Sequence, residues 1–264
     1  MPIDDRLTRT IIFSAVLLLS LSSAPAQAIS NAPDCAETRA QVTRLETRLK
    51  DWPALARYHD ANTKLAAPAK GEHRVVFMGD SITDSWQSSK YGGFFPGKPY
   101  FDRGISGQTT PQMLLRFRAD VIALHPQVVV ILAGTNDLAG NTGPSTLEEI
   151  EGNLLSMAEL ARTNGIRVVL SSILPVSDYE KTKEGKPIIR TTQRAPEKIK
   201  ALNEWMRTYA ARNKLIYLDY YSSMIDGQGF LKDELSEDGL HPNAQGYAIM
   251  APLAEQAIAA ALKK

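Results

Sequence analysis

The chain contains several short, uninterrupted apolar runs, and a longer amphipathic segment separates most of them from the next. Continuous apolar runs are typical of strands that are covered on both faces, as in a parallel sheet. Amphipathic helices provide the crossovers that parallel strands require. The pattern therefore predicts a doubly wound three-layer α/β/α sandwich with a mostly parallel sheet. The predicted strands cover 74–78, 128–132, 167–173 and 216–218, with a fifth candidate at 100–101, and the predicted helices cover 110–124, 145–164, 195–213 and 244–262.

The N-terminus has the order of segments found in exported proteins. Arg6 and Arg9 precede an apolar run over 11–21, and small residues ending in Ala28 follow it. This order predicts a secretory signal peptide over residues 1–28, so we expect a secreted or periplasmic protein. The run is too short to cross a hydrocarbon core of ~30 Å as a stable helix. We therefore expect no stable membrane span after signal removal, and an uncleaved anchor is the alternative.

Residues 29–72 are predicted to form a helical arm and a linker that precede the main domain, 73–264. Apolar side chains recur here at three- and four-residue intervals, the period of a helix. We expect this apolar face to pack on the main domain, with a break in the helix near Pro53. Ala, Pro and Gly at 67–71 indicate the linker. The face consists of Leu45, Leu49, Trp52, Leu55 and Tyr58.

The net charge and the counts of cysteine and histidine argue against a nucleic-acid partner, an internal disulfide and a metal site. The chain has 30 basic and 29 acidic residues, a net charge of +1, which gives no electrostatic basis for binding nucleic acid. The single cysteine, Cys35, cannot form an internal disulfide. The histidines are far apart in sequence and have no cysteine partners, so no metal site is predicted. They are His59, His73, His125 and His241.

Polar clusters follow three of the predicted strands, and a fourth precedes the last helix. Ligands of such sheets bind beyond the carboxyl ends of the strands, so we expect all four clusters on one rim. Each alone could be an ordinary turn or loop hydrogen bond, and we interpret Asp80, Asp84 and Asp137 as turn-stabilising residues. The clusters are Gly79-Asp80-Ser81, Asp102 to Gly107, Gly134 to Asp137, and Asp238 to Asn243.

The residue types in these clusters suit nucleophilic catalysis. A serine hydroxyl is a weak nucleophile at neutral pH and needs a base, which His241 could supply to Ser81. Asp238, three residues before His241, could accept from the other ring nitrogen and fix the tautomer. The N–H groups of Ser81 and Gly104 and the side-chain amide of Asn136 are candidates for an oxyanion hole.

These clusters resemble, in order, the four sequence blocks of the SGNH (GDSL) hydrolases. In this sequence the blocks are Gly79-Asp80-Ser81, Gly104, Gly134-Thr-Asn136-Asp137 and Asp238-Gly-Leu-His241, and the resemblance covers 74–262. The subgroup similar to platelet-activating-factor acetylhydrolase subunits fits most closely. The resemblance implies a flavodoxin-like fold and hydrolysis of carboxylic esters by Ser81, Asp238 and His241 without a cofactor. It also implies Ser81, Gly104 and Asn136 as oxyanion donors. Ile82 stands where the family name has Leu, which leaves the mechanism unchanged.

The substrate is less constrained than the reaction. The polar segment 177–192 follows the third strand and would overhang the rim, which favours hydroxyl-rich substrates. We expect removal of short acyl groups, acetyl foremost, from a small-molecule or glycan ester, with lysophospholipase or general short-chain esterase activity as the alternative. Two other classes of function are considered. A metal-dependent phosphoesterase would need several histidines and carboxylates at the site, and only one histidine is available. A non-catalytic glycan-binding module would not need the intact triad.

Overall fold

The computed structural model of the protein describes residues 35–264. The predicted signal peptide, 1–28, lies outside the described residues. The chain divides into two units, Met1–Glu46 and Thr47–Lys264. The described part of the first unit belongs to one helix, α1 (Cys35–Lys50), which continues into the second. Within 35–264, no helix is long and apolar enough to cross a membrane.

The second unit contains one sheet of five parallel strands in the order β2-β1-β3-β4-β5. This confirms the parallel sheet that the apolar runs predict. Gly79 at the end of β1 is in register with Gly104 of β2 and Leu132 of β3, so the carboxyl ends of three strands are level. The strands are β1 (Val75–Gly79), β2 (Tyr100–Gly104), β3 (Val128–Leu132), β4 (Arg167–Ser171) and β5 (Ile216–Leu218).

Helices cover both faces of the sheet, which gives the predicted three layers. Successive side chains of β1 enter two different cores: Val76 packs with Phe117 on one face, and Phe77 packs with Trp86 on the other. The helices are α2 (Ala56–Lys64), α3 (Ser81–Trp86), α4 (Thr110–Asp120), α5 (Thr135–Leu138), α6 (Leu147–Thr163), α7 (Pro196–Arg212), α8 (Tyr221–Met224) and α9 (Ala244–Leu262).

Three predicted bounds need correction. The predicted helix 110–124 ends at Asp120, because Val121 leaves helical geometry (φ −124°, ψ −67°), and a 3₁₀ turn over Ile122–Leu124 follows. β2 runs to Gly104 and is longer than predicted. β4 ends at Ser171, and the N–H of Ile173 donates to the side chain of Asn203 rather than to a strand.

Within the second unit, the helix of the arm is interrupted over 51–55, near Pro53, and only part of the predicted apolar face packs on the domain. Tyr58 is buried, and its hydroxyl donates to the carbonyl of Gly104. Leu49, Trp52 and Leu55 remain 75%, 39% and 44% exposed. The turn over 51–55 separates the two helices and redirects the chain, with Ala54 at φ +56°, so the apolar positions do not continue along one face.

Candidate active site

A sharp turn between β1 and α3 presents Ser81 at the carboxyl end of the sheet. β1 ends at Gly79, and Asp80 caps α3 by accepting the N–H of Ile82 at 2.9 Å. This side-chain bond satisfies a backbone donor at the helix start. Ser81 is therefore the first helical residue, and its side chain lines a cavity beyond the strand ends.

His241 and Asp238 lie in the loop before α9 and complete a hydrogen-bonded chain with Ser81. The Oγ of Ser81 is 2.8 Å from Nε2 of His241, and Nδ1 of His241 is 2.7 Å from Oδ2 of Asp238. Oδ1 of Asp238 accepts the N–H of His241 at 2.8 Å and that of Leu240 at 3.0 Å. The structure thus brings the three predicted triad residues together in the predicted order of contacts.

Asp238 is held in its ionised form. Burial by itself would raise the pKa of this carboxyl, but hydrogen bonds from the side chain and backbone of His241 outweigh burial and hold the pKa well below its usual range. An ionised Asp238 fixes the proton of His241 on Nδ1 and leaves Nε2 free to accept from Ser81.

Asn136 is buried beneath the cavity, 3% exposed, at the start of α5. Its Nδ2 donates to the carbonyl of Gln108 at 3.0 Å, and its Oδ1 accepts from Nη2 of Arg194 at 3.3 Å. A carbonyl can only accept and a guanidinium can only donate, so the two partners determine which way the amide points. One N–H of Nδ2 remains for a group in the cavity.

The prediction that Gly104 donates to an oxyanion needs correction. Its N–H donates to Oδ1 of Asp102 at 2.6 Å, inside the protein. A Cβ at position 104 would lie 2.2 Å from the backbone nitrogen of Asp84, so close packing explains this glycine. Gly107, three residues later, lines the cavity with Ser81 and Asn136 and has φ +79°. Sequence reasoning missed Gly107 because both glycines lie in the same short block.

Two arginines near the triad were not predicted. Arg190, from the polar segment 177–192, donates from Nε to the carbonyl of Asp238 at 2.9 Å and from Nη2 to its Oδ2 at 3.1 Å. Arg194 lines the cavity, is 5% exposed, and also donates to Oγ1 of Thr135 at 3.2 Å. Only the polarity of the segment pointed to a role at the rim, and nothing in the sequence singled out either arginine.

The cavity has a volume of about 670 Å³, and most of the residues that line it have polar side chains. Four of the five predicted site residues line it: Ser81, Asn136, Asp238 and His241. Among residues 35–264, no group of three or more His, Cys, Asp and Glu side chains is placed to hold a metal ion.

Other acidic residues of the motifs form structural contacts. Asp137 accepts the N–H of Thr110 at 3.0 Å and ties α5 to α4. Asp84 accepts the hydroxyl of Ser106 at 2.7 Å. Burial raises the pKa of Asp80 to about 6 and that of Asp102 to about 7. In the described structure, none of these four carboxyl groups is hydrogen-bonded to the side chain of Ser81 or His241.

Comparison with known proteins agrees with this geometry. A family model described as the GDSL-like lipase/acylhydrolase family matches residues 77–249. A GDSL-like lipase from Bacteroides thetaiotaomicron shares 45% identity, with a TM-score of 0.71, over 79% of this chain and 98% of its own. A candidate platelet activating factor from Streptococcus pneumonia shares 25% identity, with a TM-score of 0.65, over 84% and 98%.

The esterase TesA of Pseudomonas aeruginosa is 29% identical over 138 residues, which are 52% of this chain and 58% of the esterase. The matched segment thus spans little more than half the length of that relative.

Proposed function

The chain belongs to the GDSL-like lipase/acylhydrolase family, and from this premise we propose that it is an exported serine esterase that removes short acyl groups. Membership confirms the resemblance to the SGNH hydrolases, and with it the prediction of a carboxylic ester hydrolase at the level of the family. The hydrogen-bonded chain from Ser81 through His241 to Asp238 is the observation that carries the proposal. The relative named an esterase supports the same reaction class.

In the proposed reaction, Oγ of Ser81 attacks the carbonyl carbon of the ester while Nε2 of His241 takes the hydroxyl proton. The imidazolium that forms is stabilised by the carboxylate of Asp238. Collapse of the tetrahedral intermediate breaks the bond to the alcohol oxygen, which receives the proton from His241. The acyl group remains on Ser81 as an ester.

Water completes the cycle by the same route. His241 takes a proton from the water molecule, whose oxygen attacks the acyl carbon, and returns that proton to Oγ of Ser81 as the carboxylic acid leaves. Both ring nitrogens of His241 are used by Ser81 and Asp238, so no ring nitrogen is left for a metal. That observation argues against the alternative of a metal-dependent phosphoesterase.

We assign the oxyanion donors to the N–H groups of Ser81 and Gly107 and to Nδ2 of Asn136. All three residues line the cavity around the Ser81 hydroxyl. Donors that are fixed before the reaction stabilise the charge that develops on the carbonyl oxygen. The anchoring of Asn136 by Gln108 and Arg194 supports this role, because the amide is held without the substrate.

The cavity favours a short acyl group on a polar alcohol. A long acyl chain would need an apolar channel, whereas serine, asparagine, arginine and glutamate side chains form much of this wall. We therefore propose acetyl esters of carbohydrate as the substrate class. Lysophospholipid or general short-chain ester hydrolysis is the second candidate, and a p-nitrophenyl ester series of increasing chain length distinguishes the two.

Export remains a proposal that rests on the basic, apolar and small-residue segments of 1–28. We expect the mature chain to begin near Ile29. N-terminal sequencing of the protein recovered from the periplasm or medium checks this, and an intact Met1 in a cytosolic pool would contradict it.

The decisive test replaces the nucleophile. Ser81→Ala should remain folded while hydrolysis of p-nitrophenyl acetate falls by a factor of roughly 10³ or more. A fluorophosphonate should label the unmodified protein on the peptide that contains Ser81 and should not label the variant. Ser156→Ala, on the exposed side of α6, is the matched control. Full activity in Ser81→Ala would refute the serine-esterase proposal.

A further inference from the structure

A second cavity lies beside the active site and is formed partly by the N-terminal arm. It has a volume of about 310 Å³ and shares two wall residues, Ser106 and Gly107, with the catalytic cavity. Its size is at the lower end of small-molecule pockets, roughly 300–1,000 Å³. Asp51 and Trp52 form the wall on the side of the arm, outside the residues that match the family model.

The domain holds this part of the arm in place by two buried amide side chains. Nε2 of Gln108 donates to the carbonyl of Pro53, and Nε2 of Gln112 donates to the carbonyl of Trp52, both at 2.8 Å. Both glutamines are buried. The backbone of Trp52 is therefore fixed at the cavity, although its large side chain stays 39% exposed and adds little to the core.

The wall of this second cavity offers the groups that recognise a sugar. An indole ring packs well against the C–H face of a pyranose, and its N–H, which has no hydrogen-bond partner in the described structure, can donate to a hydroxyl. Each carboxylate oxygen of Asp51 accepts one backbone N–H of the 55–56 segment and keeps a lone pair. Asn141 donates from Nδ2 to the carbonyl of Gly107 at 3.0 Å, which leaves its Oδ1 as an acceptor.

We propose that the second cavity is a sugar-binding subsite in which Trp52 stacks on the residue next to the acylated one. This inference rests on the proposed esterase function and deepens it, because it makes the substrate an acylated oligosaccharide of at least two sugar units. Ser106 and Gly107 separate the two cavities, so an acylated unit beside Ser81 places its neighbour against Trp52. In this arrangement the arm contributes to specificity for the sugar next to the acylated one and provides no catalytic group.

A hydrocarbon chain fits this cavity less well than a sugar does. It would cover the carboxylate of Asp51 and the amide oxygen of Asn141 without replacing their hydrogen bonds to water. Burying polar groups without partners is unfavourable. A sugar hydroxyl replaces those bonds instead.

The test compares three acetyl esters: p-nitrophenyl acetate, an acetylated methyl xyloside and an acetylated xylotetraose. We expect the unmodified enzyme to have a higher kcat/KM on the acetylated xylotetraose than on the acetylated methyl xyloside. Trp52→Ala should raise KM for the tetraose about tenfold, with kcat and the rate on p-nitrophenyl acetate unchanged. Trp52→Phe should raise KM for the tetraose less than Trp52→Ala does, because a phenyl ring can still stack on a sugar. Leu49→Ala, an exposed apolar residue of the same arm, is the matched control.

A binding measurement separates this inference from the esterase proposal. Unacetylated xylotetraose should change the tryptophan fluorescence of Ser81→Ala, and this change should disappear in the double variant with Trp52→Phe. Equal losses on all three esters in Trp52→Ala, or an unchanged tetraose KM, would overturn the subsite. Hydrolysis of p-nitrophenyl acetate alone, with no tetraose binding, would also overturn it while leaving the esterase intact. Loss of all hydrolysis in the unmodified protein would refute the proposed function itself.

Discussion

Arg190 binds Asp238 at two points, with Nε on its backbone carbonyl at 2.9 Å and Nη2 on its carboxylate Oδ2 at 3.1 Å. Oδ2 is also the oxygen that His241 contacts. A guanidinium that donates twice fixes both the position and the orientation of its partner. The polar segment 177–192 therefore reaches the triad through Arg190 and does more than overhang the rim.

We expect Arg190→Ala to lower kcat about tenfold with little change in KM. The loss of one charge-assisted hydrogen bond corresponds to ~1.4 kcal/mol in the barrier, because a freed Asp238 holds His241 less firmly. Arg190→Lys should recover part of the activity, since lysine can make one of the two contacts. Steady-state kinetics on p-nitrophenyl acetate checks this, with Lys186→Ala, exposed in the same segment, as control. A change in KM alone would assign Arg190 to substrate binding.

Asn136→Ala should reduce both kcat and stability. The oxyanion carries its charge only in the transition state, so losing a donor lowers kcat by roughly 10²–10³ with a small change in KM. The substitution also leaves the carbonyl of Gln108 and the guanidinium of Arg194 without their partner, which should lower the free energy of unfolding by ~1–3 kcal/mol. Kinetics and a melting curve measure the two effects. A lower melting temperature with an unchanged kcat would assign Asn136 to structure alone.

The two glycines of the 102–107 block should respond differently to alanine. Gly104→Ala forces a Cβ to within 2.2 Å of the backbone of Asp84, so we expect a large loss of stability or no folded protein. A Cβ at Gly107 would lie 3.9 Å from its nearest neighbouring atom, so it would fit. Alanine would be strained only by the positive φ of +79°, which should lower the free energy of unfolding by ~1 kcal/mol. Gly107→Ala should therefore fold and lose kcat as its N–H shifts. A folded, fully active Gly107→Ala would remove Gly107 from the oxyanion hole.

Local sequence patterns predicted the sheet and the triad because both depend on short segments. The run 128–132 consists mostly of β-branched residues, which favour strands, and Asp238 and His241 are three residues apart in one loop. The choice between Gly104 and Gly107 depended on where β2 ends and on the side chain of Asp102, which sequence alone does not give. Arg190 and Arg194 reach the site from a long segment without helix or strand, so only its tertiary folding sets their contacts.

Trp52 shows how a periodic pattern can mislead. Its spacing with Leu49 and Leu55 is helical, but the turn at 51–55 interrupts the helix, and two glutamines of another segment hold the backbone carbonyls of Trp52 and Pro53. Such long-range anchoring has no local signal. Of the predicted face, Tyr58 packs on the domain, whereas Trp52 lines the second cavity and stays partly exposed.

The buried carboxyl of Asp102 should make the protein less stable as the pH rises. Burial, the largest cause, raises its pKa to about 7, even though the N–H of Gly104 donates to it. In the unfolded chain an aspartate has a pKa near ~3.9. Between these values the folded state binds more protons than the unfolded state, so the free energy of unfolding falls with rising pH. This contribution is fully present below about pH 4 and is lost as the pH passes through 7.

Asp102→Asn keeps an acceptor oxygen for Gly104 and removes the ionisation. We therefore expect its melting temperature to fall less than that of the unmodified protein between pH 5 and pH 8. This range extends about one pH unit or more on either side of the pKa of Asp102 in the folded protein. Asp80, with a pKa raised to about 6 by burial, acts in the same direction and leaves a residual slope in the variant. Thermal melts at pH 5, 6.5 and 8 measure the difference between the two proteins, and Asp60→Asn, an exposed carboxyl on α2, serves as the control. An equal or steeper fall in Asp102→Asn would show that Asp102 is ionised in the folded protein throughout this range, held by partners that outweigh its burial.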